Sequence, residues 1–257
     1  MTEERGRPAV KAKGLESLYG LHAVRIMLER YPERVTAIRL LERREDPRVR
    51  RIEELARQAR VPVQRVDAQA LRQRLGEVAH QGILAEITAL APWSEDRLLS
   101  ALQSARQPLL LALDGVQDPH NLGACLRTAD ACGVLAVIVP RDRAAHMTAA
   151  VRKVAAGAAE TTPLVVVTNL ARTLKLLKEA GLWVVGADAG GAGRAREIDL
   201  TGGVVLVMGA EGTGLRQLTR QSCDFLARLP QLGAVESLNV SVAAGMLLYE
   251  ALRQRQG

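Results

Sequence analysis

The sequence predicts an α/β protein with a mostly parallel main sheet and a smaller α/β domain ahead of it. Three observations carry this. Apolar periods of two and of about 3.6 residues alternate along the chain. The alternation pauses at a polar, proline-containing stretch near residue 90 and then restarts more strongly. Strands of the second run, such as LLLALDGV and GGVVLVMG, are almost continuously apolar, as expected of strands covered by helices on both faces.

The first thirteen residues are charged and lack an apolar core, which predicts a loose tail and no secretory signal. GLHAVRIMLER (20–30) reads as a helix, with Leu21, Val24, Met27 and Leu28 on one face. VTAIRLLE (35–42) reads as a strand. DPRVRRIEELARQAR (46–60) reads as a helix with Asp46 as N-cap and Pro47 in its first turn. VPVQRVD (61–67) is a strand, 67–75 a short helix and GILAEI (82–87) a strand. Together they predict a compact α/β domain over 14–88. Residues 89–107 hold Pro92, a short amphipathic piece and polar ends, and are expected to be a linker.

From residue 108 the expected order is strand (LLLALDGV), helix (NLGACLRTADACG), strand (VLAVIVP) and helix (MTAAVRKVAAGAAE). LVVVT, NLARTLKLLKEAG and LWVVGAD repeat the unit. GGVVLVMG is a buried strand, GLRQLTRQSC a helix, DFLARLP a strand, and NVSVAAGMLLYEALRQR the closing helix. This predicts a second domain over 108–257 with helices on both faces of its sheet.

Composition narrows the function. At 257 residues, 48% hydrophobic and 25% charged, the chain can build a packed core. No apolar run approaches the ~18 residues of a membrane span. Cys125, Cys132 and Cys223 are odd in number and lack metal-ligand spacing, and His22, His80, His120 and His146 fall in different elements, so neither a disulfide scaffold nor a metal site is expected. A reduced, cytoplasmic setting fits best. Lys and Arg outnumber Asp and Glu by 35 to 28, and the excess is mostly arginine, whose fork suits phosphate. A polyanionic partner and a mildly basic solvated surface both satisfy this charge. Aromatics at 2% argue against modules that stack bases.

Three segments place glycines and polar residues at strand ends, where open α/β sheets bind ligands. In LDGVQDPHNLGACLRTAD (113–130), Asn121 and Arg127 sit at and beyond a helix start; Asn121 also suits an N-cap and Arg127 a surface charge. In VVLVMGAEGTGLR (204–216), the glycines at 209, 212 and 214 do not spell G-x-G-x-x-G, which argues against a dinucleotide-binding oxidoreductase. Glu211 follows a buried strand, where a carboxylate needs a reason. In RLPQLGAVESLNVSVAAG (228–245), Ser237 and Asn239 enter a helix as site residues or as caps. Ser237 lacks a G-x-S-x-G elbow, so a hydrolase triad is not expected.

Taken in order, D-P-x-N-x-G-x-x-x-R-T-A, then V-M-G-A-E-G-x-G-L, then L-P…S-L-N-V-S-V-A resembles the SpoU family of RNA ribose 2′-O-methyltransferases, of the SPOUT superfamily. YGLHAV (19–24), HQGILAEI (80–87) and the ending LLYEALRQRQ extend the likeness to those bacterial members that methylate a guanosine ribose in the peptidyl-transferase region of large-subunit ribosomal RNA. The resemblance implies a C-terminal α/β domain with a trefoil knot, an N-terminal L30e-like RNA-binding domain, and a homodimer paired through C-terminal helices. It implies S-adenosylmethionine as methyl donor, no metal, and ribosomal RNA, before the large subunit is complete, as substrate. It places Asn121, Arg127, Glu211, Ser237 and Asn239 on active-site positions, and the cofactor against backbone around Gly209, Leu229 and Leu238. Arg127 is then expected to clamp the phosphate beside the target ribose. Glu211 would orient Arg127 or take the proton through water, and the two asparagines would fix the loops. A family member acting on tRNA or another rRNA site, and an RNA-binding homologue without activity, are the alternatives.

Overall fold

The computed structural model describes residues 15–76, 78, 80–88, 92–235 and 237–256. The expected tail, 1–13, lies outside these residues, as do 89–91 of the expected linker. The chain divides into two compact units, one ending at Ala91 and one beginning at Pro92.

The first unit holds β1 (Leu15–Tyr19), α1 (Leu21–Arg30), β2 (Val35–Leu41), α2 (Pro47–Gln58), β3 (Val63–Val66), α3 (Ala68–Leu75) and β4 (Ile83–Thr88). Its sheet runs β1-β4-β2-β3, antiparallel except for the β2/β3 pair. Asp46 caps α2 by accepting from the Arg48 and Val49 N–H groups, and Asp67 caps α3 through Ala70. Val24, Met27, Leu28, Ile38, Leu40, Val49 and Ile52 are buried in one core. Arg39 and Arg74 both reach Glu86, at 2.7 and 3.0 Å. The sequence pattern did not predict β1, whose five residues LESLY bury only Leu18.

The second unit holds α4 (Glu95–Leu102), β5 (Leu109–Asp114), α5 (Pro119–Ala131), β6 (Ala136–Pro140), α6 (Ala149–Ala155), β7 (Leu164–Val167), α7 (Leu170–Glu179), β8 (Trp183–Ala187), β9 (Gly193–Arg194), β10 (Val204–Gly209), α8 (Gln217–Ser222), β11 (Phe225–Arg228) and α9 (Val240–Gln256). Its seven strands lie in the order β7-β6-β5-β10-β8-β11-β9, and every neighbouring pair is parallel.

The apolar runs are explained by two-sided burial. Leu109, Leu111 and Leu113 of β5, with Val204, Leu206 and Met208 of β10, join the core that holds α5, α6 and α9. The intervening Leu110, Ala112, Val205 and Val207 join the opposite core, which holds α4 and α7.

Three expectations are revised. The amphipathic piece of the expected linker is α4, whose Leu98 and Leu102 are buried in that second core, while Trp93 bridges to Val165 of β7. The helix expected from Asn121 starts at Pro119 with Asp118 as its cap, so Asn121 lies inside the first turn. The helix expected over 147–160 breaks because Ala156 and Gly157 adopt left-handed backbone, and 158–160 form a separate 3-10 turn.

Candidate active site

Beyond the carboxyl ends of β8, β10 and β11, a cavity of about 240 Å³ opens against the loops 210–214 and 229–238. Gly209, Glu211, Leu229, Ser237 and Leu238, five of the eight expected site residues, line it together. Much of its wall is glycine and alanine, so the backbone itself faces the space. Met208, Leu229, Leu238 and Val240 supply apolar surface, and Ser237, Gln231 and Asp188 polar groups. Asp188 is already committed, to Arg220 at 2.7 Å and the Gly190 N–H at 2.8 Å.

The wall is built by a tight turn. Ala210 and Gly214 exchange both backbone hydrogen bonds, at 3.1 and 2.9 Å. The turn folds back so closely that a Cβ on Gly209 would lie 2.1 Å from the Gly214 carbonyl carbon and 2.3 Å from the Leu215 nitrogen. Only glycine fits there. Glu211 lies on this turn, past the end of β10, and is exposed. The expectation that it sits at the strand's buried end is therefore corrected: it needs no partner because water reaches it.

Asn121 and Asn239 do not line the cavity; they meet beside it. Asn239 Nδ2 donates to Asn121 Oδ1 at 2.9 Å. Asn239 Oδ1 accepts from the Ser241 backbone N–H at 2.9 Å and its hydroxyl at 2.6 Å, so Asn239 also caps α9. The cap and the contact with Asn121 therefore use the two ends of one amide. Arg127 is exposed on α5, which packs against α9. Among the described residues it has no ion-pair or hydrogen-bond partner, and no bond joins it to Glu211.

Sequence reasoning gave no role to Asp114 or Arg216. Asp114 ends β5 and is 1% exposed. Its Oδ2 accepts from the Arg216 backbone N–H at 2.9 Å, and its Oδ1 lies 3.4 Å from Arg216 Nε. A carboxylate at the end of a six-residue apolar strand was the available signal. Among the described residues no group of three or more His, Cys, Asp or Glu is placed to share a metal ion, and no helix is long and apolar enough to cross a membrane.

Residues 108–249 match the model of the SpoU rRNA methylase family, and residues 17–93 match the RNA 2′-O ribose methyltransferase substrate-binding model. The chain is 56% identical over 241 residues to the 23S rRNA (guanosine-2′-O-)-methyltransferase RlmB of Pseudomonas aeruginosa, covering 93% of this chain and 97% of that one. It is 48% identical over 240 residues to RlmB of Escherichia coli K12, covering 93% and 99%. Among solved structures, the SpoU methyltransferase AviRb of Streptomyces viridochromogenes in complex with AdoMet aligns with a TM-score of 0.75 at 26% identity, over 95% of this chain and 91% of that one. An AdoMet-bound rRNA methyltransferase of Sinorhizobium meliloti aligns with a TM-score of 0.73 at 25% identity, over 93% and 87%. With both units matched in order and half of all residues identical to such relatives, the chain belongs to the SpoU rRNA methylase family.

Proposed function

We propose that this chain transfers a methyl group from S-adenosylmethionine to the ribose 2′-oxygen of a guanosine in 23S rRNA. The observation that carries the reading is the cavity beside Gly209. Its backbone-rich wall offers N–H and C=O partners, and its apolar patches suit a flat purine. Gly209, Leu229 and Leu238 would hold the cofactor. S-adenosylmethionine, when bound, supplies a methyl group already activated by the sulfonium charge.

The protein then has to position the ribose and remove a proton from a weak acid. Arg127, exposed and uncommitted, is suited to clamp the phosphate next to the target ribose. Glu211, at the cavity's rim, is suited to take the 2′-hydroxyl proton through water. Ser237, which lines the same cavity, would meet the ribose, and the Asn121–Asn239 bond would hold the start of α9 against α5 beside it.

We further propose that the first unit is an L30e-like domain that binds the RNA, and that the loops around the cavity form the family's trefoil knot. We place the target in the peptidyl-transferase region, the reaction in the cytoplasm, and the substrate as rRNA before the large subunit is complete. We also propose a homodimer through α9, where Val242, Met246 and Tyr249 are exposed on a helix whose Val240, Ala244, Leu247, Leu248 and Ala251 are buried.

The test is methyl transfer from labelled S-adenosylmethionine to 23S rRNA transcripts, with the modified nucleotide mapped by nuclease digestion and mass spectrometry. A 2′-O-methylguanosine in the peptidyl-transferase region is expected. Transfer to tRNA alone would overturn the rRNA assignment, and cofactor binding without transfer to any RNA would favour a silent RNA-binding homologue.

A further inference from the structure

Asp114 holds both ends of the turn that walls the cavity. Its backbone is the strand partner of Gly209, where the turn leaves β10. Its side chain takes the N–H of Arg216, where the turn ends at 2.9 Å. Between these two anchors lie Ala210, Glu211, Gly212 and Gly214, all of which line the cavity. The carboxylate is fully buried, and Oδ1 has no hydrogen-bond donor among the described residues. Its compensating charge is the Arg216 guanidinium, with Nε at 3.4 Å. Gly115 makes room for that guanidinium. It adopts φ +81°, and a Cβ there would lie 3.2 Å from Arg216 Nη2 and 3.7 Å from Ala210 Cβ.

We propose that Asp114 and Arg216 form a clasp that holds the 209–216 turn in its cofactor-binding shape. They are positioning residues for S-adenosylmethionine and do not themselves touch it. A buried carboxylate that loses its counter-charge is strongly unfavourable, so the anchor works only while Arg216 stays in place. The contact through Nε is single rather than a bidentate fork, so another cation on a long stem substitutes for it. The proposal rests on the reading of the cavity as the cofactor site.

The experiment compares the full chain with Asp114→Asn, Arg216→Ala and Arg216→Lys. Three quantities are read: the dissociation constant for S-adenosylmethionine by calorimetry, the KM for rRNA, and amide hydrogen exchange across 210–216 without cofactor. Asp114→Asn keeps an acceptor for the Arg216 N–H while it removes the charge and turns an amide NH2 towards Arg216 Nε. It and Arg216→Ala should each weaken cofactor binding about tenfold, speed exchange across 210–216 by a similar factor, and leave the KM for rRNA unchanged. Arg216→Lys should stay within about threefold of the unmodified protein in all three. The clasp is overturned if exchange across 210–216 is unchanged in Asp114→Asn and Arg216→Ala. It is also overturned if Arg216→Ala raises the KM for rRNA while cofactor affinity holds, which would make Arg216 an RNA contact. Should the unmodified protein fail to bind S-adenosylmethionine, the cofactor reading falls, and exchange still decides the clasp.

Discussion

Asn121 and Asn239, 118 positions apart, share one hydrogen bond of 2.9 Å whose direction is fixed by its neighbours. Asn239 Oδ1 is occupied by two donors from Ser241, which leaves Nδ2 to donate and Asn121 Oδ1 to accept. The two asparagines are therefore not equivalent. Asn239→Asp should keep the α9 cap but set oxygen against oxygen, while Asn121→Asp keeps an acceptor facing Nδ2. Asn239→Asp is expected to be the more destabilising, by about 1–2 kcal/mol for the lost bond. Urea unfolding of both variants checks this, and equal midpoints would contradict the assigned direction.

Gly209→Ala should be the most damaging single substitution at the cavity. The added methyl would meet backbone, the Gly214 carbonyl carbon at 2.1 Å and the Leu215 nitrogen at 2.3 Å, and backbone cannot rotate away as a side chain does. The turn has to open, at a cost of about 2 kcal/mol or more. Calorimetry should show cofactor binding lost in a protein that still folds. Normal affinity would mean that the turn tolerates displacement.

Much of this was legible from residues alone, for physical reasons. Two-sided burial writes itself as continuous apolar runs, so β5, β6 and β10 could be read directly. The family resemblance that the ordered motifs carry, rather than any single residue, put forward eight candidate site residues, and five line one cavity. What could not be read was commitment. That Asn239 caps α9 and also reaches Asn121 could not be read, because sequence does not show that one amide has two ends. Glu211 looked buried because the turn that lifts it into water depends on how closely Gly214 approaches Gly209. α4 was read only as an amphipathic piece of a linker because eight residues span too few turns for a 3.6-residue period to stand out.

The misread linker predicts where the second unit can be cut. A fragment of 92–257 keeps α4 and the Trp93 N–H bond to the Leu164 carbonyl at 2.8 Å, and should fold and bind S-adenosylmethionine. A fragment of 108–257 loses Leu98 and Leu102, each worth about 1.5–3 kcal/mol of burial, and uncovers part of the core beside β7. Thermal unfolding should separate the two fragments clearly. Equal melting temperatures would show that α4 is dispensable. The longer fragment should still methylate rRNA poorly, having lost the proposed RNA-binding unit.

The three thiols should be quiet. Burial pushes the Cys125 thiol up to about 12 and, with Asp224 adding to it, the Cys223 thiol up to about 11; burial also raises Cys132. The thiolate is the reactive form, so alkylation at pH 8 should be slow in the folded chain and fast in denaturant. The same shifts give stability a pH dependence. A thiol ionises near 8.5 in the unfolded chain and later in the folded one, so the unfolded state binds fewer protons between about pH 9 and 12. Stability is full below that window and falls as pH rises through it. Cys125→Ala should flatten the fall; an unchanged slope would mean that the thiol is not protected.

Arg127 separates two chemistries. As a phosphate clamp it needs charge and fork, so Arg127→Lys should be impaired and Arg127→Ala more so, the latter by about ten- to a hundredfold in methyl transfer. Cofactor affinity should hold in both, because Arg127 lies on α5 and is not among the cavity's lining residues. Stability should move by less than about 0.5 kcal/mol, since the side chain is exposed and bonds to no described residue. Single-turnover rates across pH distinguish a clamp from a base. Loss of a clamp lowers the rate at every pH by the same factor, whereas loss of a base changes the shape of the profile. Calorimetry showing that folded Arg127→Ala no longer binds S-adenosylmethionine would contradict both roles and place Arg127 in the cofactor site.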